Sequence, residues 1–429
     1  MKKKIFFCIS LSLHYLCSMA GIYVHIPFCK SRCRYCDFYS TLLGAEKAAY
    51  VQAVCREMEL RGDFLRGDKV KTLYFGGGTP SQLSPALLAA MVRKAEQVFG
   101  FSSLDELTIE ANPDDLTQAW IDGLKTCIPQ HTLRISMGIQ TFDDPLLRLL
   151  GRRHTADEAT GAVHRLQESG ITEVSIDLMY GLPEMAGDKG DRGNKDCRTY
   201  RNYQEIWKRD LQRAVGLGVP HISAYHLSYE DGTALARMRE QGEVHEISEE
   251  ESVECFRELR RTLLSAGYRH YEISNFALPG HEARHNSSYW RGVPYLGLGA
   301  GAHSFDGLHR RWNHPDLKRY IDALTPSPSN PSSQPSPSSP SILSSLSDGE
   351  TLSDEDRYNE YIMTRLRTAE GISPEEIGLL FGPARERHCR ARAQSYLKSH
   401  RLRETADGRW ALTEEGIFVS DGIMADLFL

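Results

Sequence analysis

Cys29, Cys33 and Cys36 follow the spacing Cys-x3-Cys-x2-Cys and could set three thiolates on one tight loop, close enough to hold three corners of a single [4Fe-4S] cubane. Three protein ligands leave one iron open, whereas a cluster that only carries electrons normally has four. The same loop admits a second chemistry, because with His25 the cysteines make a Cys3His zinc set. His25 lies inside an alternating strand, so its direction relative to the loop is not free. Covalent haem attachment is ruled out: it needs Cys-x-x-Cys-His, and Asp37 follows Cys36. The remaining cysteines sit singly without a spacing pattern, which excludes a disulfide scaffold. Cys55, Cys127 and Cys255 fall in helix-like or mixed stretches and read as small buried hydrophobes.

A second signal is the run Gly76-Gly77-Gly78 within FGGGTPS, where a backbone can approach a ligand without interference from Cβ atoms. The lysine and spacing of a P-loop are absent, and a plain glycine turn is the alternative. Polar residues then recur at or near the ends of apolar runs: Glu110, Gln140, Asp177, and Tyr225 with His226. Each alone could be a structural hydrogen-bonder. Together with the cysteine loop they would converge on the carboxyl end of a parallel βα sheet, where such folds build their sites. A small zwitterionic cofactor suits that set.

The frame that must position these residues is visible as alternation. Short β-rich runs at 22–28, 70–75, 106–111, 133–139, 173–179 and 221–227 are separated by stretches with helical apolar periodicity at 46–61, 85–99, 117–125, 157–168 and 203–217. Ser84 before Pro85 supplies one helix with an N-cap and a proline at its first position. The expected fold class is α/β, a partial (βα)6 barrel, with a doubly wound open sheet as the competing topology.

Residues 1–18 combine Lys2, Lys3 and Lys4 with an apolar run at 5–16 and a small Ser18, as in a secretory signal. A core strand and cysteines that need a reducing compartment follow at once. We therefore read 1–18 as an N-terminal extension outside the native chain, with Met19 as the start and a cytoplasmic location. The main domain spans 19–325. Within it, 187–198 (GDKGDRGNKDCR) reads as a solvated surface insertion. Residues 326–349 are Pro/Ser-rich and read as a disordered linker. Residues 350–429 form a small C-terminal domain, winged-helix-like α+β, with a β pair around Trp410 and Leu412. Its basic run from Arg385 through Arg390 and Arg392 to Arg403 reads as a solvated helix face rather than a nucleic-acid contact. Composition agrees: 41% hydrophobic, 25% charged and a net charge of -6 describe a globular protein, not one that coats nucleic acid.

The stretches YVHIPFCKSRCRYCDF, FGGGTPS, SMGIQTFD, SIDLMYGLP, YEISNFALPG and HNSSYW together resemble the coproporphyrinogen-oxidase-like radical S-adenosylmethionine (SAM) family, and within it the haem-chaperone branch. The likeness covers nearly all of 21–320. It implies a radical SAM barrel with a [4Fe-4S] cluster on Cys29, Cys33 and Cys36, and SAM on the open iron. It further implies SAM contacts from Tyr23, Gly78, Thr79, Glu110, Gln140, Arg152 and Asp177. Oxidases of the family carry another cysteine two residues after the third. Here Phe38 stands at that position and can neither ligate nor exchange protons, so the resemblance implies a haem chaperone that binds haem and hands it to acceptor proteins. It implies no catalytic residue. For haem it points to His285, flanked by Tyr289 and Trp290, with His303 in reserve; read from the residues alone, His285 simply caps a neighbour in a polar loop. A flavodoxin or ferredoxin would be a fitting electron donor, and neither nucleic acid nor stable membrane insertion is expected. Two alternatives stay open: an oxygen-independent coproporphyrinogen III oxidase performing oxidative decarboxylation, and a nucleic-acid-modifying radical SAM enzyme.

Overall fold

Side chains alternate across a strand, so apolar residues at every second position bury one face and leave the other to different neighbours. Ile22, Val24 and Ile26 are buried in this way, as are Leu73 and Phe75, Leu107 and Ile109, Ile135 and Met137, Val174 and Ile176, and Ile222 and Ala224. The computed structural model describes residues 19–429 except 43, 45, 66, 102, 130, 131, 186–202 and 326–339. In it these runs are β1 (Met19–Ile26), β2 (Lys69–Gly77), β3 (Glu106–Ala111), β4 (Leu133–Gln140), β5 (Glu173–Tyr180) and β6 (His221–His226). Each pairs in parallel with the next in chain order. A doubly wound sheet would reverse that order at a switch point. The unbroken order instead gives the partial barrel.

The helices expected between the strands are present at Lys47–Leu60, Pro85–Phe99, Gln118–Cys127, Ala156–Glu168 and Tyr203–Gly216. Their ends follow local chemistry. Ser84 accepts a hydrogen bond from the Leu87 amide ahead of Pro85, and Gly100 closes the same helix at φ 69°.

The sheet does not stop at six strands. β7 (Arg269–Glu272) and β8 (Asn275–Ala277) extend it antiparallel beyond β6. On the other edge β9 (Tyr295–Leu298) runs parallel to β1, followed by antiparallel β10 (His303–Phe305), β11 (His309–Asn313) and β12 (Ser347–Thr351). A buried carboxylate ties this edge to the barrel. Glu57 accepts from Arg61 Nε at 2.8 Å, Asn313 Nδ2 at 2.8 Å, the Gly299 amide at 2.9 Å and the Tyr320 hydroxyl at 2.6 Å.

One boundary differs from expectation. The end of the Pro/Ser-rich segment is structured: Pro340–Leu346 is helical, β12 pairs along β11, and Leu346 joins the core. Ile342, Leu343 and Leu346 supply the apolar surface that the preceding Pro/Ser tract lacks. The rest of that segment, the 187–198 insertion and residues 1–18 lie outside the described residues. The C-terminal part has its own core of Tyr358, Ile362, Ile377, Trp410 and Leu427. Its helices Asp354–Leu366, Pro374–Phe381 and Pro383–Lys398 precede a hairpin of Leu402–Glu404 with Trp410–Leu412, the winged-helix-like outline. Among the described residues no helix is long and apolar enough to cross a membrane.

Candidate functional site

β1 runs into Pro27, and the chain leaves the sheet there as the loop that carries the thiols. Several backbone bonds pin this loop: Cys29 N to Thr41 O at 2.9 Å, Arg34 N to Leu150 O at 2.9 Å and Leu235 N to Arg34 O at 2.8 Å. Lys30 Nζ adds an ion pair to Asp115 at 2.5 Å. Cys29, Cys33 and Cys36 are free and partly exposed. Burial pushes the Cys36 thiol up to about 11 and raises that of Cys29. Neither is therefore a ready nucleophile, and a cationic metal centre is the chemistry that would hold them as thiolates.

His25 does not complete a zinc set. Its Nε2 donates to the Tyr39 carbonyl at 2.9 Å and its Nδ1 lies 3.2 Å from the Tyr23 hydroxyl, so both ring nitrogens are engaged. Among the described residues no three His, Cys, Asp or Glu side chains converge as a single ion requires. A cubane, whose ligands sit on different irons, needs no such convergence.

A chain of polar contacts runs from one sulfur to another across three strand ends. Cys29 Sγ lies 3.4 Å from Thr79 Oγ1, Asn112 Nδ2 donates to Thr79 Oγ1 at 3.4 Å, Arg152 Nη2 donates to Asn112 Oδ1 at 2.7 Å, and Arg152 Nη1 reaches Cys33 Sγ at 3.4 Å. Asn112 was not among the expected site residues; its signal in the sequence is the Asn112-Pro113 turn that ends β3. Arg152 Nε is buried without a partner, a donor left over for an anionic group at this site. The glycines are required by space. A Cβ on Gly77, at φ 106°, would stand 2.5 Å from the His25 ring, and one on Gly78 would stand 2.8 Å from the Ile26 carbonyl. Gln140 adopts φ 74° where the β4–β5 register slips, a strained conformation of the kind that concentrates at functional sites.

Inside the mouth, Glu110 accepts from the Tyr74 hydroxyl at 2.7 Å and the Gly77 amide at 3.1 Å. Burial, reinforced by nearby Asp177, pushes its carboxyl up to about 7. Asp177, 3.5 Å from Ser136 Oγ, is pushed by burial up to about 6. Glu110 has no cation among the groups that shift it, and Asp177 feels only Arg152, so the pair suits a cationic ligand. Tyr23 lies over Tyr74 at 6.0 Å on the same inner face, and Tyr225 is half-exposed at the rim. His226 departs from expectation: as the next residue along β6 it faces the other way, against Tyr180 on the helix side.

His285 also departs from expectation. It lies not in a polar loop but in the helix Arg284–Trp290, under the barrel's amino end, and is 1% exposed. Its Nδ1 meets Thr72 Oγ1 and its Nε2 the Tyr289 hydroxyl, each at 2.8 Å, while its ring stacks on Tyr74 at 5.0 Å. In this arrangement no ring nitrogen is free for iron. The surrounding floor is polar. Glu106 accepts from the Arg284 and His285 amides, serving the helix N-terminus where Ala283 has no capping group, and it pairs with Arg134 at 3.2 Å. His303 lies on β10, exposed and stacked on Trp312. In the C-terminal basic run, Arg390 is neutralised by Glu386 at 2.9 Å and Glu375 at 2.8 Å.

The radical SAM superfamily description matches residues 23–189, and that of the HemN C-terminal domain matches 352–419. Heme chaperone HemW of Lactococcus lactis is 34% identical over 302 residues, covering 70% of this chain and 73% of the relative. Heme chaperone HemW of Mycobacterium tuberculosis is 31% identical over 413 residues, covering 95% and 94%. Coproporphyrinogen III oxidase HemN of Escherichia coli superposes with a TM-score of 0.74 at 20% identity, over 96% of this chain and 90% of that one, a likeness of fold.

Proposed function

Because the chain belongs to the heme chaperone HemW family of radical SAM proteins, we propose that it binds haem and delivers it to acceptor proteins, on a scaffold that carries a [4Fe-4S] cluster and SAM. The observation that carries the choice of chaperone over oxidase is at the end of the cysteine loop, where Phe38 is 65% exposed and offers no thiol. An anaerobic assay with reconstituted protein, SAM and coproporphyrinogen III is expected to give no vinyl product. Turnover there would sink the reading.

In our assignment Cys29, Cys33 and Cys36 hold the cluster. Tyr23, Gly78, Thr79, Glu110, Gln140, Arg152 and Asp177 surround SAM, with Asn112 orienting Arg152. When bound, the cluster and SAM supply one-electron chemistry at the open iron. The chain's own part is to keep Arg152 beside Cys33 and to present Glu110 and Asp177 to the cation of SAM. We place the protein in the cytoplasm, with a flavodoxin or ferredoxin as electron donor; a cluster held by three thiolates would need a reducing compartment and a source of electrons, which supports both.

A pH dependence follows from Glu110. An acid whose pKa in the folded protein is raised to about 7 takes up its proton as the pH falls through that value, and a neutral carboxyl no longer attracts the cation. SAM affinity, measured by equilibrium dialysis, is expected to fall by up to about tenfold per pH unit below about 7. Glu110→Gln is expected to bind weakly and to lose the inflection near 7, leaving only the fall due to Asp177 near 6. A flat profile in the parent protein would count against the role.

Burial pushes His285 down to about 3, which keeps its imidazole neutral, the form that ligates iron. We propose that it does so when the Tyr289 hydroxyl moves off Nε2. Haemin titration is expected to show about tenfold weaker binding and an altered Soret band for His285→Ala, and tighter binding for Tyr289→Phe, which removes the competing hydroxyl. A parental spectrum from His285→Ala would exclude it as the ligand.

A further inference from the structure

The C-terminal domain, the stretch from Tyr289 to Tyr295 that leads into the amino end of β9, and the turn at 305–307 enclose a cleft of about 630 Å3, within the size range of a cofactor site between domains. Tyr289, Trp290 and Tyr295 line the barrel side, and Tyr361, Met363 and Phe381 the opposite side. Flat aromatic walls with a soft thioether suit a planar macrocycle. Two of the cleft's arginines are committed: Arg310 to Glu350 and Glu360, and Arg365 to Glu376 with its guanidinium over the Tyr361 ring. Among the described residues Arg291 and Arg357, one from each wall, pair with Glu370 and Asp354, whose side chains are 52% and 72% exposed. Such pairs are weak and exchange readily for a ligand carboxylate. Trp290 Nε1 is buried without a partner. The Tyr289 hydroxyl, bonded to His285 Nε2, is what separates the cleft from that imidazole.

We propose that this interdomain cleft holds the tetrapyrrole ring, with its carboxylates on Arg291 and Arg357 and with Tyr289 as the side chain that turns aside for His285 to reach the iron. The inference rests on the haem-binding reading and adds the place where haem sits. It puts haem at the end of the barrel opposite the cysteine loop.

The test compares haemin with haemin dimethyl ester, whose carboxylates are masked, on the full-length protein with its cluster reconstituted. The ester is expected to bind about tenfold more weakly than haemin, and the gap is expected to close to less than about threefold in Arg291→Ala/Arg357→Ala. Met363→Trp, which fills the cleft from a 42% exposed position, is expected to lower haemin affinity about tenfold and to leave SAM binding intact. Equal affinity for haemin and its ester, or unchanged haemin binding in a Met363→Trp protein that still binds SAM, would overturn the cleft assignment. Failure of the parent protein to bind haemin at all would overturn the haem reading beneath it.

Discussion

Cys33→Ala is expected to lose its cluster: iron and sulfide should fall from about four atoms of each per chain toward zero, and the visible absorption of the cluster should disappear with them. Cys33 is the thiol in contact with Arg152, and Arg152 is tied through Asn112 to Thr79 beside Cys29. Removing it leaves two thiols for a cubane and strands a buried guanidinium beside the gap. SAM affinity is expected to fall about a hundredfold, the upper range for loss of a metal site's supporting contacts. Cys55→Ala, a partly buried thiol in the helix Lys47–Leu60, serves as the control and should keep its iron. A Cys33→Ala protein with full iron content and parental absorption would remove the basis for the cluster assignment. Haemin binding should change little, since the cleft lies at the other end of the strands.

Glu57→Ala is expected to be the most damaging single change outside the site. The carboxylate is fully buried and accepts four hydrogen bonds from Arg61, Asn313, Tyr320 and the Gly299 amide, so its loss leaves the buried Arg61 charge without its counter-ion and takes an acceptor from three further donors. Breaking a buried ion pair from one side costs about 3–5 kcal/mol. For a chain of 429 residues that corresponds to a fall of about 3–6 °C in Tm. Glu57→Gln keeps the shape but turns an amide NH2 toward existing donors, and should recover only part of the loss. Thermal unfolding of the three proteins checks the order, and a shift below about 2 °C for Glu57→Ala would show that the knot is dispensable.

The parallel strands were legible because each carries its own period-2 pattern, and the cysteine set because its chemistry is packed into eight residues. Asn112 and Glu57 were not. Nothing local distinguishes Glu57 from the other charges of its helix; its role depends on Gly299, Asn313 and Tyr320, more than two hundred residues away, closing over it. The outer strands β7–β12 have three to five residues each, too few for a period to register. His226 was misjudged because proximity in sequence was taken as a shared face, whereas neighbours on a strand point oppositely. His285 was judged by residue type. Its surroundings, Thr72 on one strand and Tyr289 one helical turn on, are set by the packing of its helix beneath the barrel.

The polar floor has a consequence for traffic. Arg134, Glu106 and the amide of His285 interlock at the amino end and form a polar layer between the mouth and the cleft. A cofactor lodged above and a guest lodged below would therefore never queue for the same entrance; either could load first, and one could be exchanged while the other stays parked. The two places are nonetheless in touch, since a line of contacts runs through the floor from Tyr289 to His285, Tyr74 and Glu110.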